Sequence, residues 1–298
     1  MSSSPGASAT TEGAFERRMS HRPNPLERAR EIWEYRELLR NLTRKELKVK
    51  YKNSVLGFVW SLLNPLLYLV VFSIVFQEVL RTSVPYFAIF LLSGLLCWNL
   101  FSNSLGGGAS SIVGNASLVQ KVWFPREILP LSSIGAGLVH FFLQLLVLVG
   151  ALVAFQKAPD WTALPALIPA ILVLLLLAGS LGIVLSAVNV YLRDTQHLLE
   201  LVLLAWFWLS AIVYPYNQVA DRLEGKTWII LLNPMIPVIT TFQRVIYNPT
   251  PEQDVLPADA GIDWYLRNLA IVGAAAVVLF FVALWIFGRL EDNLAEEI

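Results

Sequence analysis

The chain has 298 residues, 56% of them hydrophobic and 15% charged, with a mean hydropathy of +0.60. Soluble domains run at about 45–50% apolar and about 25% charged, and the apolar excess here falls in runs of about 20 residues, the length that crosses a bilayer. That excludes an ordinary water-soluble enzyme and points to an all-α polytopic membrane protein. Net charge is zero, and the single cysteine, Cys97, excludes a disulfide framework and a cysteine-based zinc site.

Residues 1–25, rich in Ser, Ala, Thr, Gly and Pro, read as a disordered tail without the apolar core of a signal peptide. In 26–52, Ile32, Tyr35, Leu39 and Leu42 form one helical stripe among nine basic residues from Arg28 to Lys52. The pattern predicts a basic amphipathic helix lying on anionic lipid. Six spans follow within 53–290, at about 57–80, 84–105, 128–155, 163–189, 198–214 and 266–287. The fifth is the shortest, about 25 Å long at 1.5 Å per residue. The closing segment 288–298 reads as a short tail.

Lysine and arginine set the orientation. Sixteen of the 22 lie before the first span, in loops 106–127 and 190–197, or at Arg289. Both termini are therefore expected on the cytoplasmic side. Segment 228–247 (WIILLNPMIPVITTFQRVIY) is apolar and 20 long, but Pro234 and Pro237 should break it. It reads as a re-entrant pair of short helices on the outer side, within an outer gate region 215–265, where irregular backbone must face protein or water.

Residues 220–227 (ADRLEGKT) form a relaxed phosphate-loop pattern, but a span precedes them where a buried strand is needed, so they read as a polar turn. His140 and Gln144, four apart in the third span, read as hydrogen-bonding glue between helices in preference to a proton relay. Small residues predict close helix packing at Ser133 and Gly137, at Ala178, Gly182 and Ser186, and at Ala270 and Ala274. In loop 106–127, Asn115 is placed to cap a short helix over 116–122, and Pro125 stops it. Leu118, Val122, Trp123 and Phe124 are too apolar for an open loop, so a membrane interface or a protein partner should cover them.

Three stretches resemble one family. They are 51–66 (YKNSVLGFVWSLLNPL), 118–131 (LVQKVWFPREILPL), and a third running from 189–197 (NVYLRDTQH) through 211–215 (AIVYP) to 232–237 (LNPMIP). Together they are similar to the membrane subunit of ABC-type polysaccharide exporters, over about residues 30–290. The resemblance implies a six-span half-transporter that pairs with itself and with two copies of a separate ATPase. ATP and Mg would be held on that partner and no cofactor or metal on this chain. It also implies a polymer carried on polyprenyl lipid, such as O-antigen, teichoic acid, capsule or galactan, moved outward across the bacterial inner membrane. Residues 26–45 would be the interface helix, 112–126 the coupling helix, with Asn115, Leu118, Val122, Trp123, Phe124 and Arg126 at the ATPase. Residues 215–247, with Tyr216, Asn233, Pro234 and Pro237, would form the outer gate. Membrane lipids are expected partners and nucleic acid is not.

A sliding polymer favours flat rings with a few polar groups beside them, by analogy with single-strand grooves. Ser61, Asn64, Tyr68 and Phe72 share one side of the first span. Trp206, Phe207, Ser210 and Tyr214, with Glu200 below, lie along the fifth. These are the candidate channel residues. An ion-coupled transporter would want acids in mid-span, and an enzyme on lipid-linked sugar would want clustered carboxylates; the sequence offers neither.

Overall fold

The computed structural model describes residues 24–52, 57, 59–81, 84–223, 226–250, 253, 255–257, 261–291 and 294–297; the expected tail 1–25 lies almost wholly outside them. Every regular element among these residues is helical.

The basic segment forms two helices, α1 (Pro25–Glu34) and α2 (Arg36–Tyr51), where one was expected. Pro25 stands at the first helical position, where no backbone donor is needed, and the Asn24 N–H donates to the Glu27 carboxylate at 3.0 Å. Tyr35 leaves helical geometry (φ −86°, ψ 19°) and separates the two.

Among the described residues, five helices are long and apolar enough to cross a bilayer. They are α3 (Val59–Ser73, continued by a π-turn to Val79), α4 (Phe87–Gly114), α6 (Ile128–Ala154), α7 (Leu167–Tyr191, after a 3₁₀ turn from Leu164) and α11 (Ile262–Leu290). Between α4 and α6 lies the short α5 (Ala116–Lys121). The sixth helical span expected at 198–214 does not form as such. Its helix, α8 (Thr195–Trp208), has 14 residues, about 21 Å, and ends in a turn where Ala211 takes a left-handed φ of 49°. After it come α9 (Tyr216–Ala220), a 3₁₀ helix at Thr227–Leu232, and α10 (Met235–Phe242), which runs on as a π-turn to Tyr247.

Side-chain bonds fix the directions. Tyr191 Oη donates to the Leu290 carbonyl at 2.6 Å, so α7 and α11 finish side by side and run the same way. That end also holds α1, loop 115–127 and the start of α6, and we call it the basic end. At the far end, Tyr247 Oη donates to the Pro85 carbonyl at 2.8 Å and Lys157 Nζ to the Asn248 carbonyl at 3.1 Å. The chain therefore returns from the basic end to the far end between 192 and 261 in pieces, with α8 as the first.

The core forms around α4, the most enclosed of the long helices, with α6 and α7 against it and α11 against α7. Close approach is set by small residues, as expected of helices packing in lipid. A Cβ added at Gly108 would lie 3.2 Å from the Gly182 Cα, and one at Gly137 would lie 3.1 Å from Ser104 Oγ. Ala178 and Ser186 are fully buried. The pair Ala270 and Ala274 is a correction: both are exposed, and α11 packs through Leu269, Val272, Ala276 and Ala283. Alanine at that spacing marks a packing face only where a neighbour lies over it, and here α7 lies on the other side.

These contacts make a paired test. Gly108→Leu must push two backbones apart and should cost about 1–3 kcal/mol, read as a lower melting midpoint in detergent. Gly106→Ala, with open space around it, should leave the midpoint unchanged within error.

Candidate functional site

Two regions carry the residues expected to work. One is loop 115–127 at the basic end, and the other is the broken segment from α8 to α10 at the far half.

The loop does not cap itself as the sequence suggested. Asn115 turns its amide back to the Ser111 carbonyl at 2.8 Å and accepts from Lys45 Nζ at 2.7 Å, so it ties the loop to α2. α5 ends at Lys121. Its apolar residues divide by face. Val119 and Phe124 are buried in the core at the basic end, with Leu118 packed against them. Phe124 is thus a correction to the expected docking set: Pro125 and the start of α6 place its ring inward, as the anchor of the loop. Val122 and Trp123 are left exposed, at 53% and 59%. The Trp123 ring meets Tyr35 edge-on at 6.4 Å, and Trp33 beside it is also exposed. The usable surface is a pair from the loop plus the outer face of α1.

Beneath the loop sits an ion set that sequence reasoning missed, because its members are 99 and 263 residues apart. Arg28, buried on α1, donates to the Glu127 carboxylate and, at 2.6 Å, to Glu291 Oε2. Arg126 Nη1 donates to the Glu291 carbonyl at 3.0 Å. Burial lowers the affinity of Arg28 for its proton, but the two carboxylates outweigh it and the net direction is up. The Glu127 carboxyl is pushed up to about 7, first by burial and then by the Glu291 charge, against the pull of Arg28.

α2 climbs along α6. Thr43 Oγ1 donates to the Ser132 carbonyl at 3.4 Å, and a Cβ at Gly135 would lie 2.8 Å from that hydroxyl. Eight residues on, Tyr51 Oη lies 2.7 Å from His140 Nδ1 and 2.6 Å from Ser61 Oγ. His140 thus links α6 to two other segments. Ser61, expected in the channel, is held in this knot. Asn64 and Tyr68 on α3 are exposed. Tyr68 and Phe72 stack at 5.8 Å (23°), and the row continues through Phe76 to Phe87.

In the far half, Trp206, Tyr214, Tyr216, Asn233 and Pro234 line one apolar cavity of about 630 Å³. Asn233 is its keystone. Its Oδ1 accepts from Trp206 Nε1 at 2.9 Å and from the Met235 N–H at 3.0 Å, and its Nδ2 donates to the Leu209 carbonyl at 3.0 Å and Ser210 Oγ at 3.1 Å. Phe207 turns away to meet Trp98 edge-on at 5.7 Å. The α3 candidates do not reach this cavity. Of the two prolines expected to break 228–247, Pro234 does so, at Asn233–Pro234, while Pro237 sits in the first turn of α10, where its missing N–H is tolerated. α10 is buried on every side, and its continuation holds Gln243, whose side-chain amide is buried with no hydrogen-bond partner among the described residues. Of the pattern at 220–227, residue 220 ends α9, 221–223 are 3₁₀, and 224–225 lie outside the described residues. A five-residue helix, not a strand, leads into it.

The described residues thus form a helical chain with a bracketed loop at one end and a broken segment towards the other. Residues 37–247 match the family described as ABC-2 type transporter, and the chain belongs to it. It is 35% identical over 271 residues to the O-antigen export system permease protein RfbA of Myxococcus xanthus, covering 90% of this chain and 98% of that one. The protein of the same name from Klebsiella pneumoniae is 29% identical over 261 residues, 87% of this chain and 94% of that one. The polysialic acid transport protein KpsM of Escherichia coli is 22% identical over 209 residues, 68% of this chain and 78% of that one.

Asn233→Ala removes four hydrogen bonds and leaves the indole N–H unpaired. At about 1 kcal/mol per bond it should destabilise the folded chain by about 2–4 kcal/mol, read as a lower melting midpoint, with Asn233→Asp intermediate.

Glu127 sets a pH dependence. Its folded value lies above the ordinary one of about 4.3, so the folded chain keeps a proton that the unfolded chain has released. That stabilisation is complete below about pH 4 and lost as pH rises through about 7. The melting midpoint of the wild type minus that of Glu127→Gln should therefore fall between pH 5 and 8. A difference that rises with pH would mean that Arg28 outweighs burial.

Proposed function

We propose that this chain is the membrane subunit of an ATP-driven exporter, which moves a polysaccharide on a polyprenyl lipid from the cytoplasmic to the outer face of the plasma membrane. The observation that carries the reading is the loop: an apolar pair, Val122 and Trp123, held out from the basic end while Phe124 and Val119 anchor it. An exposed tryptophan on a fixed mount suits a groove in a partner. The partner is a separate ATPase in two copies, holding ATP and Mg. The basic end faces the cytoplasm, where the lysines and arginines of α1 and α2 meet anionic lipid. Both termini lie there.

The substrate class follows the relatives' names, two for O-antigen and one for polysialic acid, and the rings suit it. Tyr68, Phe72 and Phe76 offer flat faces along α3, and the cavity beside Asn233 offers an apolar wall with a few polar groups. Two copies of the chain complete the path. Asn64 on α3 and Glu200 on α8 are exposed on helices that are otherwise apolar there, and polar groups at such positions face protein or water, not lipid tails. Transport by an ion gradient is disfavoured because the long helices bury no acid in mid-span among the described residues.

Trp123→Ala should weaken capture of the co-expressed ATPase by about 30-fold, the equivalent of about 2 kcal/mol at an interface anchor, and stop export. In the same assay Lys226→Ala should leave ATP hydrolysis unchanged. Normal ATPase capture by the Trp123 variant would reduce the loop to a membrane anchor.

A further inference from the structure

Loop 115–127 is gripped at both ends by the N-terminal helix pair. At its start Lys45 of α2 donates to Asn115 Oδ1 at 2.7 Å. At its end Arg28 of α1 holds the Glu127 carboxylate. The same guanidinium reaches Glu291, just beyond α11, and Arg126 holds the backbone there. The seat is close: a Cβ at Gly288 of α11 would lie 3.0 Å from Arg28 Nε and 3.1 Å from Cζ, so any larger residue there obliges the guanidinium to shift. Arg28 is 8% exposed and Glu127 1%. Below, Thr43 seats α2 in the Gly135 notch of α6.

Burying an arginine with two carboxylates is a poor way to gain stability, since an apolar set of similar volume does as well or better. A buried ion set fixes geometry instead: it holds only in one register. Here the register joins three segments that the sequence keeps far apart. Without Arg28 the two carboxylates lose the group on α1 that they share, and Arg126 keeps only the loop's exit on the end of α11.

We infer that Arg28, Glu127 and Glu291, seated on Gly288, are positioning residues that make loop 115–127, α1 and the end of α11 one rigid unit, so that a push on the loop reaches the membrane helices. This rests on the loop being the contact for the ATPase. Arg28 does not touch the partner or the polymer in this scheme; Val122 and Trp123 bind, and Arg28 transmits. Binding and hydrolysis should then separate from export.

The test uses the full chain co-expressed with its ATPase. Arg28→Met, Glu127→Gln and Glu291→Gln together remove the link without stranding a buried charge. Three quantities are read per folded chain: ATPase captured, ATP hydrolysed by the purified complex, and surface polysaccharide labelled by an impermeant hydrazide after periodate oxidation. Capture and hydrolysis should stay within about twofold of wild type, and export should fall at least tenfold. The exchange Arg28→Glu with Glu127→Arg, which keeps one arginine between two carboxylates, should restore more than half of the export. A role in folding alone would lower the amount of folded chain and leave export per folded chain intact. Wild-type export by the neutral triple variant, or a parallel fall of all three readings, would overturn the inference. If the triple variant accumulates poorly, Gly288→Ala is read in the same way: it obliges the guanidinium to move by a few tenths of an ångström and changes no charge, and the same outcomes decide. The docking reading fails separately, by normal ATPase capture in Trp123→Ala with Arg28 intact.

Discussion

The close approach of α4 to α6 and α7 is the contact on which the rest of the structure depends. In lipid, helices gain little from hiding apolar surface, because the tails around them are as apolar as leucine. Cohesion has to come from atoms in contact. Glycines at 108 and 182 on the facing helices let α4 and α7 meet backbone to backbone, and Gly137 of α6 leaves room for the Ser104 side chain of α4. With α4 fixed between α6 and α7, the broken segment has a wall to lie on: α10 packs against α4 and α7. Gly94 of α4 leaves room for Ile239 and Gln243. Irregular backbone at this depth survives only because the surrounding protein satisfies it, which Asn233 does at the Met235 N–H and the Leu209 carbonyl.

Much of the fold was legible because its signals are long. Runs of about 20 apolar residues located four spans to within a few residues of their observed helices at one end or both, and placed the last, and the glycines named the tight contacts. The fifth span misled because composition does not record where a helix stops. Residues 198–214 are apolar enough, but the backbone leaves the helix at Leu209 and turns left-handed at Ala211. Pro234 breaks its segment as expected, but Pro237 misled for a related reason. A proline breaks a helix only beyond its first turn, and nothing local in 228–247 says that the helix begins at Met235.

The site was half legible. Trp123 and Val122 could be read as exposed apolar residues, but Phe124 next to them could not be read as buried. Which face of an irregular loop turns inward depends on what packs beneath it. Asn233 was found through its place beside proline, not through its four partners. The Arg28 set was invisible, since a lone arginine in a basic stripe looks like every other, and the glutamates that distinguish it come from other parts of the chain.

The shortness of α8 has a consequence for the bilayer itself. A helix of about 21 Å stands against α4 and the α7 segment from Leu164, each 28 residues long, where a hydrocarbon layer is about 30 Å thick. Lipid beside a short helix thins, or gives way to polar side chains and water. On the flank of α8 a bilayer of that thickness has to thin, or the gap has to be filled by water and by polar groups such as the exposed Glu200.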